Sequence, residues 1–464
     1  MRSIAAAGVV LLLLATPGCG GRGGAELYGS VHDYSDPGLK LLRDELRTLP
    51  FRHVEWEYKF TEKEISRITL GMENLYLETP DHRVIAVDRF SGVTRWIYQV
   101  DTDTPLDWPP IEAYQVPDEI RREETDLRAA NRKIDDIIKE KGPGKESQEA
   151  QKKRDQIRER LAQARNGDNV YFISRGVLYC LVRTTGNLLW TRRLTIEFAP
   201  SAQPFAIRSH IFVPGADLSR VWALDVEKRG RAITFYRTSI GTHDKNITNR
   251  PLYEDPALFF VSHDGAVYSY NLQGGQNWAY QTEDELRTDP VIFKYVEMAP
   301  DPKGVMRPKE TKILFVGGFD HAFYAIEAAG GGLMWKYETA GPIKTPAVAK
   351  GSTVYFKTEG GALFALEINP QHIDPKTGKS IGPKRNGNLR WKLPLGERFL
   401  TRGKDHVYVL GPNQEVYRLN ENTGEVIGRY PLRLLQHVVT NPLDDILYVA
   451  HPSGYVWALR EAKD

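Results

Sequence analysis

The sequence predicts an all-β protein, an eight-bladed β-propeller in which a strand from the N-terminal end closes the last blade. Three observations predict it: a repeated pair of strands, a repeated glycine and tryptophan, and an incomplete final unit whose missing strand lies near the start of the chain. Composition agrees, because 464 residues with 41% hydrophobic content can bury a large core. The formal net charge of +2 gives no global attraction to nucleic acid or to an anionic membrane.

The repeated pair is an apolar, aromatic-rich strand, a turn, and a strand with a small residue at a fixed place. We find it eight times, as LYLETPDHRVIAVD, VYFISRGVLYCLV, IFVPGADLSRVWALD, LFFVSHDGAVYSYN, LFVGGFDHAFYAIE, VYFKTEGGALFALE, VYVLGPNQEVYRLN and LYVAHPSGYVWALR. The small residue is Ala86, Cys180, Ala223, Ser269, Ala325, Ala365 or Ala458, with Arg418 as the exception. Such a residue indicates close approach of a neighbouring sheet, so we expect Cys180 to be a core residue and not a reactive thiol.

A turn with glycine four residues before a tryptophan follows most of these pairs. The tryptophans are Trp96, Trp190, Trp278, Trp335 and Trp391. Four strands per unit, with most units about 40 to 55 residues apart, are typical of propeller blades. We expect the glycine to permit a tight turn, and the outer-strand tryptophan to cover the seam with the next blade.

Two units lack this tryptophan. In the third we expect Phe235 to substitute, and in the seventh Gly428 falls in register. These two seams are therefore expected to be the weakest. The eighth unit has no tryptophan strand of its own, and HVEWEYKF, with Trp56, supplies one from the other end of the chain. This strand would close the ring and leave no open edge between blades.

The N-terminal segment is typical of a bacterial export signal. Arg2 precedes an apolar run from Ile4 to Ala15, and small residues lead to Cys19. We predict a signal peptide over 1–18 and lipidation of Cys19, with a plain secretory signal and a retained anchor as the alternatives. After cleavage at this site Cys180 is the other cysteine, so no disulfide is expected within the mature chain.

Residues 19–50 are predicted to hold a flexible tether and a short helix. Asp36 and Pro37 mark the start of the helix, and its leucines form one stripe. We expect that stripe to pack on the propeller, with contact to a membrane or a partner as the alternative. The propeller itself is assigned to residues 51–116 and 167–461.

Residues 117–166 interrupt the second blade and are predicted to form an antiparallel helical hairpin. Ile120, Leu127 and Ile134 are spaced by sevens, and Ala150, Ile157 and Ala164 repeat the spacing. The turn between the helices is Gly142, Pro143 and Gly144, followed by Lys145. These four residues are the candidate partner-binding tip, and a solvated spacer is the alternative.

Two shorter insertions are EMAPDPKGVMRPKETK in the fifth unit and NPQHIDPKTGKSIGPKRNGN in the sixth. Because strands alternate in direction, all three insertions are predicted to leave one face of the ring. Their lysines and arginines predict a local basic patch on that face. The opposite rim carries acidic residues, which would meet a basic partner or simply be solvated: Glu62, Glu64, Asp101, Asp103, Glu283, Asp284 and Glu285.

Few residues suggest catalysis. His82, His263, His321 and His451 lie near strand turns, where polar turn residues are a better interpretation than metal ligands. The sequence has no phosphate-binding loop after a strand and no Gly-x-Ser-x-Gly elbow. We therefore assign no catalytic, cofactor-binding or metal-binding residue.

Repeats with alanine, an acidic or amide residue, glycine and tryptophan resemble the quinoprotein (PQQ-like) propeller repeats. The resemblance covers about residues 52–461 apart from the insertions. In quinoprotein dehydrogenases it implies a quinone near the axis, a calcium ion and commonly a disulfide between adjacent cysteines, a pair that this chain lacks. The resemblance extends to non-catalytic bacterial propeller lipoproteins, including a subunit of the outer-membrane protein assembly machinery, although the long hairpin departs from that pattern.

The sequence thus predicts a non-catalytic, exported lipoprotein that faces the periplasm or the cell exterior. It would be a scaffold for envelope proteins, attached to a membrane by its lipid, with no cofactor and no nucleic-acid partner. The first alternative is a propeller that binds a small ligand or carbohydrate in its central opening. The second alternative is a quinone-dependent dehydrogenase.

Overall fold

The computed structural model confirms the eight-bladed β-propeller. It describes residues 25–26, 37–59, 64–101, 104–113, 130, 133–134, 137, 144–164, 168–195, 200–215, 219–238, 246–300, 306–373 and 380–461. Within them, eight antiparallel sheets each contribute four strands to a blade, and an added strand and a small hairpin complete the sheet structure. The predicted signal peptide and Cys19 lie outside the described residues.

The elements follow the order of the predicted repeat. The N-terminal part holds β1 (Ala25–Glu26), α1 (Pro37–Thr48) and β2 (His53–Lys59). Blade 1 holds β3 (Arg67–Leu70), β4 (Asn74–Glu78), β5 (Arg83–Asp88) and β6 (Thr94–Gln99). Blade 2 holds β7 (Trp108–Glu112), α2 (Lys145–Ala164), β8 (Asn169–Ser174), β9 (Val177–Val182) and β10 (Leu188–Arg193). Blade 3 holds β11 (Phe205–Ala206), β12 (His210–Pro214), β13 (Arg220–Asp225) and β14 (Arg231–Arg237).

The next three blades hold the two shorter insertions. Blade 4 holds β15 (Leu252–Glu254), β16 (Ala257–Val261), β17 (Ala266–Asn271) and β18 (Gln276–Gln281). Blade 5 holds β19 (Val291–Pro300), β20 (Met306–Gly317), β21 (Ala322–Glu327) and β22 (Leu333–Glu338). Blade 6 holds β23 (Val348–Lys350), β24 (Thr353–Lys357), β25 (Leu363–Glu367), the small hairpin β26 (Gln371–Ile373) and β27 (Ser380–Pro383), and β28 (Leu389–Leu393).

The last two blades complete the ring. Blade 7 holds β29 (Arg398–Arg402), β30 (His406–Gly411), a 3-10 turn (Pro412–Gln414), β31 (Glu415–Asn420) and β32 (Val426–Pro431). Blade 8 holds β33 (His437–Val438), β34 (Ile446–His451) and β35 (Tyr455–Arg460). Its fourth strand is β2, which pairs antiparallel with β35 and sets Trp56 opposite Ala458. The predicted closure of the ring by the N-terminal strand is confirmed.

The core lies between blades and not at one centre. Eight hydrophobic clusters occur among the described residues, one at each seam. The second strand of a blade has neighbours on both faces, so β4, β8 and β16 are buried along their whole length. Outer strands such as β18 alternate between exposed and half-buried residues.

The small residue of each blade explains how the outer tryptophan fits. Ala86 lies opposite Trp96, Ala325 opposite Trp335 and Ala365 opposite Trp391. Ser269 faces Trp278, and Cys180 faces Trp190 in the same register. Cys180 is fully buried, and burial raises the pKa of its thiol to about 12, as a core residue requires.

The indole N–H of these tryptophans reaches across the seam. Trp96 donates to the carbonyl of Arg183 at 2.7 Å, and Trp335 donates to Ile368 at 2.9 Å. The same bond joins three more pairs, namely Trp56 to Arg89, Trp278 to Ala328, and Trp391 to Glu421. Trp190 lies at the seam between blades 2 and 3 and is half-buried.

The repeated glycine lies under the tryptophan of the preceding blade. A Cβ on Gly331, where φ is +73°, would approach the Trp278 ring to 2.5 Å. The same contact, within 2.7 Å, would occur at Gly92, Gly186 and Gly424. The glycine therefore serves the turn and also leaves space for the neighbouring indole.

The expectation that Phe235 substitutes for tryptophan in blade 3 is wrong. Thr234 lies opposite Ala223, whereas Phe235 pairs with Trp222, one position further along. The seam to blade 4 is instead bridged by Tyr236, which is buried and donates its hydroxyl to the carbonyl of Leu272 at 3.2 Å. Because neighbouring positions in a strand face opposite sides, a one-residue shift changes which aromatic reaches the seam.

Helix α1 packs on the propeller, at the seam between blades 7 and 8. Its stripe of Leu39, Leu42, Leu46 and Leu49 is buried in one cluster with residues of both blades. The Glu45 carboxylate accepts backbone N–H bonds from Leu434 and Leu435. Helix α1 therefore covers the seam at which blade 7 has Gly428 opposite Arg418 and no tryptophan.

Candidate interaction face

The three insertions leave the same face of the ring, which we call the insertion face. The longest lies between β7 and β8, the first two strands of blade 2, and the second extends β19 and β20, the first two of blade 5. The third lies between β25 and β28, the third and fourth strands of blade 6. Antiparallel strands place first-to-second and third-to-fourth connections at one edge, so the additions share a side.

The hairpin insertion is described through its second helix. Helix α2 begins at Lys145, and its N-terminal turn is closed by Ser147, which donates to the Gly144 carbonyl at 2.8 Å. The heptad positions Ile134 and Ile157 are both buried. Gly142 and Pro143, like most of the predicted first helix, lie outside the described residues.

The blade 5 insertion is a long β-hairpin. Strands β19 and β20 pair through ten successive positions, from Val291 opposite Phe315 to Pro300 opposite Met306. The sequence predicted an insertion here and did not predict its form, in which the residues continue the antiparallel pairing of β19 with β20. Val296, midway along β19, is 65% exposed, so the hairpin is open to solvent at that position.

The insertion of blade 6 contacts two strands of blade 5, β19 and β22. The Asn369 side chain donates to the Tyr295 hydroxyl at 3.0 Å. The backbone N–H of Lys336 on β22 donates to the backbone carbonyl of Arg385 at 3.1 Å. The backbone N–H of Gly387 donates to the carbonyl of Lys336 at 2.9 Å. The insertion of blade 6 is therefore held against blade 5, which itself carries the long β19–β20 hairpin.

Charges on this face are partly paired. Lys294 and Lys312 lie 2.5 Å and 3.1 Å from the carboxylate of Glu254, which is buried at the end of β15. Lys309 and Arg385 are exposed. Glu254 thus neutralises part of the predicted basic patch, the part that Lys294 and Lys312 contribute.

The opposite rim is also partly neutralised. Glu283 pairs with Lys336 at 2.9 Å, and Glu285 pairs with Arg287 at 2.6 Å. Asp284 is exposed, whereas Glu62 and Asp103 lie outside the described residues. These ion pairs agree with solvated loops better than with a purely acidic surface.

The central opening is lined by the first strands of the blades. A cavity of about 500 Å³ there is bounded by residues that include Pro110, Pro251, Pro290 and Pro346. These first strands are sheet edges, and proline removes a backbone donor that would otherwise be left unpaired at an edge. The wall of the cavity therefore offers few free backbone N–H groups with which another strand could pair.

One buried carboxylate at the opening was not predicted. Glu112 accepts N–H bonds from Met72 at 2.6 Å and Asn74 at 3.2 Å, and the Tyr76 hydroxyl at 2.8 Å. Burial raises the pKa of Glu112, and nearby Arg183 opposes that rise. Its position as a single carboxylate at the end of β7 gave no signal in the sequence, and its hydrogen bonds join blades 1 and 2.

The four histidines do not converge. His82 and His321 have φ of 65° and 62° in turns, His263 contacts the Thr248 hydroxyl at 2.6 Å, and His451 contacts Ser453. Within the described residues, no three His, Cys, Asp or Glu side chains group together as metal ligands would. In the same residues, no helix has the length and apolar character needed to cross a bilayer.

Comparison with known proteins supports the same fold. A family model described as outer membrane protein assembly factor BamB matches residues 144–288, less than half of the chain. The crystal structure of BamB from Moraxella catarrhalis superimposes with a TM-score of 0.54 at 12% identity, covering 88% of this chain and 99% of that one. This chain carries a PQQ-like propeller that resembles BamB.

Two further solved structures are similar to this chain. The quinohemoprotein alcohol dehydrogenase ADHIIG from Pseudomonas putida HK5 gives a TM-score of 0.49 at 12% identity, covering 89% of this chain and 76% of that one. The computationally designed Ika8 protein gives 0.48 at 10% identity, covering 87% and 97%. No functionally curated protein matches the sequence.

Proposed function

We propose that the protein is a non-catalytic, exported lipoprotein scaffold whose insertion face binds other proteins at the bacterial cell envelope. The observation that carries the proposal is the placement of all three insertions on one face, with the insertion of blade 6 held against blade 5 by hydrogen bonds. A propeller closed by strand pairing supplies a rigid base, and loops on a rigid base are where binding residues concentrate. The likeness to BamB adds support for a protein-interaction role.

The helical hairpin would supply the specificity. Its second helix carries mixed charge around buried positions such as Ile157, so it offers a long polar surface to a partner. Both ends of the insertion lie in one connection, where the Ala113 N–H donates to the Asn169 carbonyl. Replacement of residues 117–166 by a short Gly/Ser link should therefore leave the blades folded.

The proposal is tested by photocrosslinking in cells from position 145, with adducts identified by mass spectrometry. We expect discrete envelope-protein adducts that disappear when residues 117–166 are replaced. A crosslinker at Asp284, exposed on the opposite rim, is the matched control and should give different adducts or none. A blank result at position 145, with the folded protein at normal amount, would count against the scaffold role of the hairpin.

The membrane attachment is tested separately. We propose that Cys19 carries the lipid after removal of residues 1–18, which would tether the propeller without a spanning helix. Labelling with a clickable fatty acid should modify the wild-type chain and leave the Cys19→Ser variant unlabelled. Equal labelling of both would contradict lipidation at this residue.

A further inference from the structure

A second site is suggested by a cleft of about 400 Å³ between blades 5 and 6, on the insertion face. One wall is aromatic, formed by Phe293 and Tyr295 on β19. The other wall is polar and belongs to blade 6, with Glu367, Asn369 and Arg390. All five side chains are half-buried, so they are both held in place and accessible.

Arg390 carries an uncompensated charge in this cleft. Its guanidinium donates to the Thr353 hydroxyl at 2.9 Å and to the Ser352 hydroxyl at 3.0 Å. Across the described part of the chain, no carboxylate forms an ion pair with it, and the Glu367 carboxylate likewise has no side-chain partner. A cation and an anion thus line one cleft without neutralising each other.

Blade 1 shows what the same positions do when they are satisfied. Arg95 precedes Trp96 as Arg390 precedes Trp391, and Asp88 follows the small residue by two positions, as Glu367 does. There, Arg95 pairs with Asp88 and also with Glu73 at 3.4 Å. Blade 1 has Glu73 just before its second strand, and blade 6 has Ser352 at that place. The ion pair between Arg95 and Glu73 is therefore replaced in blade 6 by hydrogen bonds from Arg390 to hydroxyls, beside a cavity.

The polar wall is organised in advance. Asn369 donates to the Tyr295 hydroxyl at 3.0 Å and accepts a bond from the Gln371 amide at 2.8 Å. These bonds fix the amide of Asn369 and the tilt of the tyrosine ring against each other. A few fixed polar groups opposite an aromatic surface are typical of small-molecule sites.

We propose that this cleft binds an acidic sugar. Arg390 matches the carboxylate, because a guanidinium recognises carboxylates by paired N–H bonds. Glu367 and Asn369 match hydroxyls, which both donate and accept, and Phe293 and Tyr295 match the apolar C–H face of a pyranose ring. An aromatic acid lacks the hydroxyl donors that Glu367 needs, and a neutral sugar leaves the charge of Arg390 unmet.

The test is calorimetric titration of the full mature chain with D-glucuronate, D-glucose and benzoate. We expect saturable binding of glucuronate, and at least tenfold weaker binding of glucose, since a hydrogen bond to a charged group is lost. Arg390→Gln should weaken glucuronate binding at least tenfold. Arg95→Gln is the matched control, because Arg95 is already paired within blade 1, and it should leave binding unchanged.

Several outcomes would reject this site. They are no saturable binding of glucuronate, equal binding of glucose and glucuronate, benzoate binding as tightly as glucuronate, or an unaltered Arg390→Gln variant. If thermal melting shows that Arg390→Gln is unfolded, Tyr295→Leu removes the opposite wall and should also abolish binding. Crosslinking from position 145 is read independently, so the scaffold role and the sugar site can fail separately.

Discussion

The seam between blades 5 and 6 and the seam between blades 7 and 8 are closed in different ways. At the first, the indole of Trp335 is 1% exposed and donates to the next blade. At the second, Gly428 occupies the tryptophan position, and Arg418 in the small position reaches Glu461 at 3.0 Å. Helix α1 supplies from outside the blades the apolar packing that a tryptophan provides elsewhere. Where the seam tryptophan is missing, helix α1 therefore covers the same seam and buries it.

The largest effect should come from breaking the helix-covered seam. Leu42→Ala with Leu46→Ala removes two buried side chains from α1, and we expect a loss of about 5 kcal/mol in the free energy of unfolding. Urea denaturation measures it. The control is Leu41→Ala on the same helix, which is 60% exposed and should change stability little. Equal effects of the two changes would mean that α1 does not seal the seam.

The tryptophan seams should respond according to burial. Trp335→Ala removes a fully buried indole and its cross-seam hydrogen bond, so we expect a loss of about 3–5 kcal/mol. Trp190→Ala should cost about 1–2 kcal/mol, because that side chain is half-buried. The same denaturation series compares them. A larger loss at Trp190 would show that burial does not rank the seams.

The glycine contact can be separated from the glycine turn. Gly331→Ala adds strain at φ +73° and a collision with Trp278, so we expect a loss of about 2–4 kcal/mol. Gly274→Ala adds strain at φ +91°, but the new Cβ would lie 3.6 Å from the Thr234 hydroxyl, so about 1–2 kcal/mol is expected. Thermal denaturation of both variants is the measurement. Identical losses would assign the whole role of the glycine to the turn.

The smallest effect concerns pH at the seam between blades 8 and 1. His437 donates to the Ile65 carbonyl at 3.1 Å, and burial holds its pKa below the ordinary value of 6.5. The unfolded chain therefore binds this proton more tightly, and stability is lost as the pH falls through 6.5. Denaturation at pH 7.5 and 5.5 should show a smaller difference in His437→Gln than in wild type. An unchanged pH difference would contradict this contribution.

Much of the fold follows from local pattern. Within most units the alternating apolar residues, the small residue and the spacing from Gly to Trp lie close together in the chain, so they are visible in the sequence. The closing strand at Trp56 was also predictable, since the eighth unit lacked one. The site was less predictable. Insertions on one face follow from strand alternation, but the contact of Asn369 with Tyr295 joins two blades.

The number of blades, their strand order and the side from which the insertions leave follow from the amino-acid sequence, because each depends on a pattern within one repeat. The residues that meet across a seam are determined by the packing of the blades: Tyr236 and not Phe235 reaches blade 4, and α1 covers the seam between blades 7 and 8. The fold also determines that Arg390 bonds to hydroxyls and, among the described residues, to no carboxylate, whereas Arg95 forms ion pairs. Such contacts join residues far apart in the chain, and a one-position shift turns a side chain to the other face of its sheet.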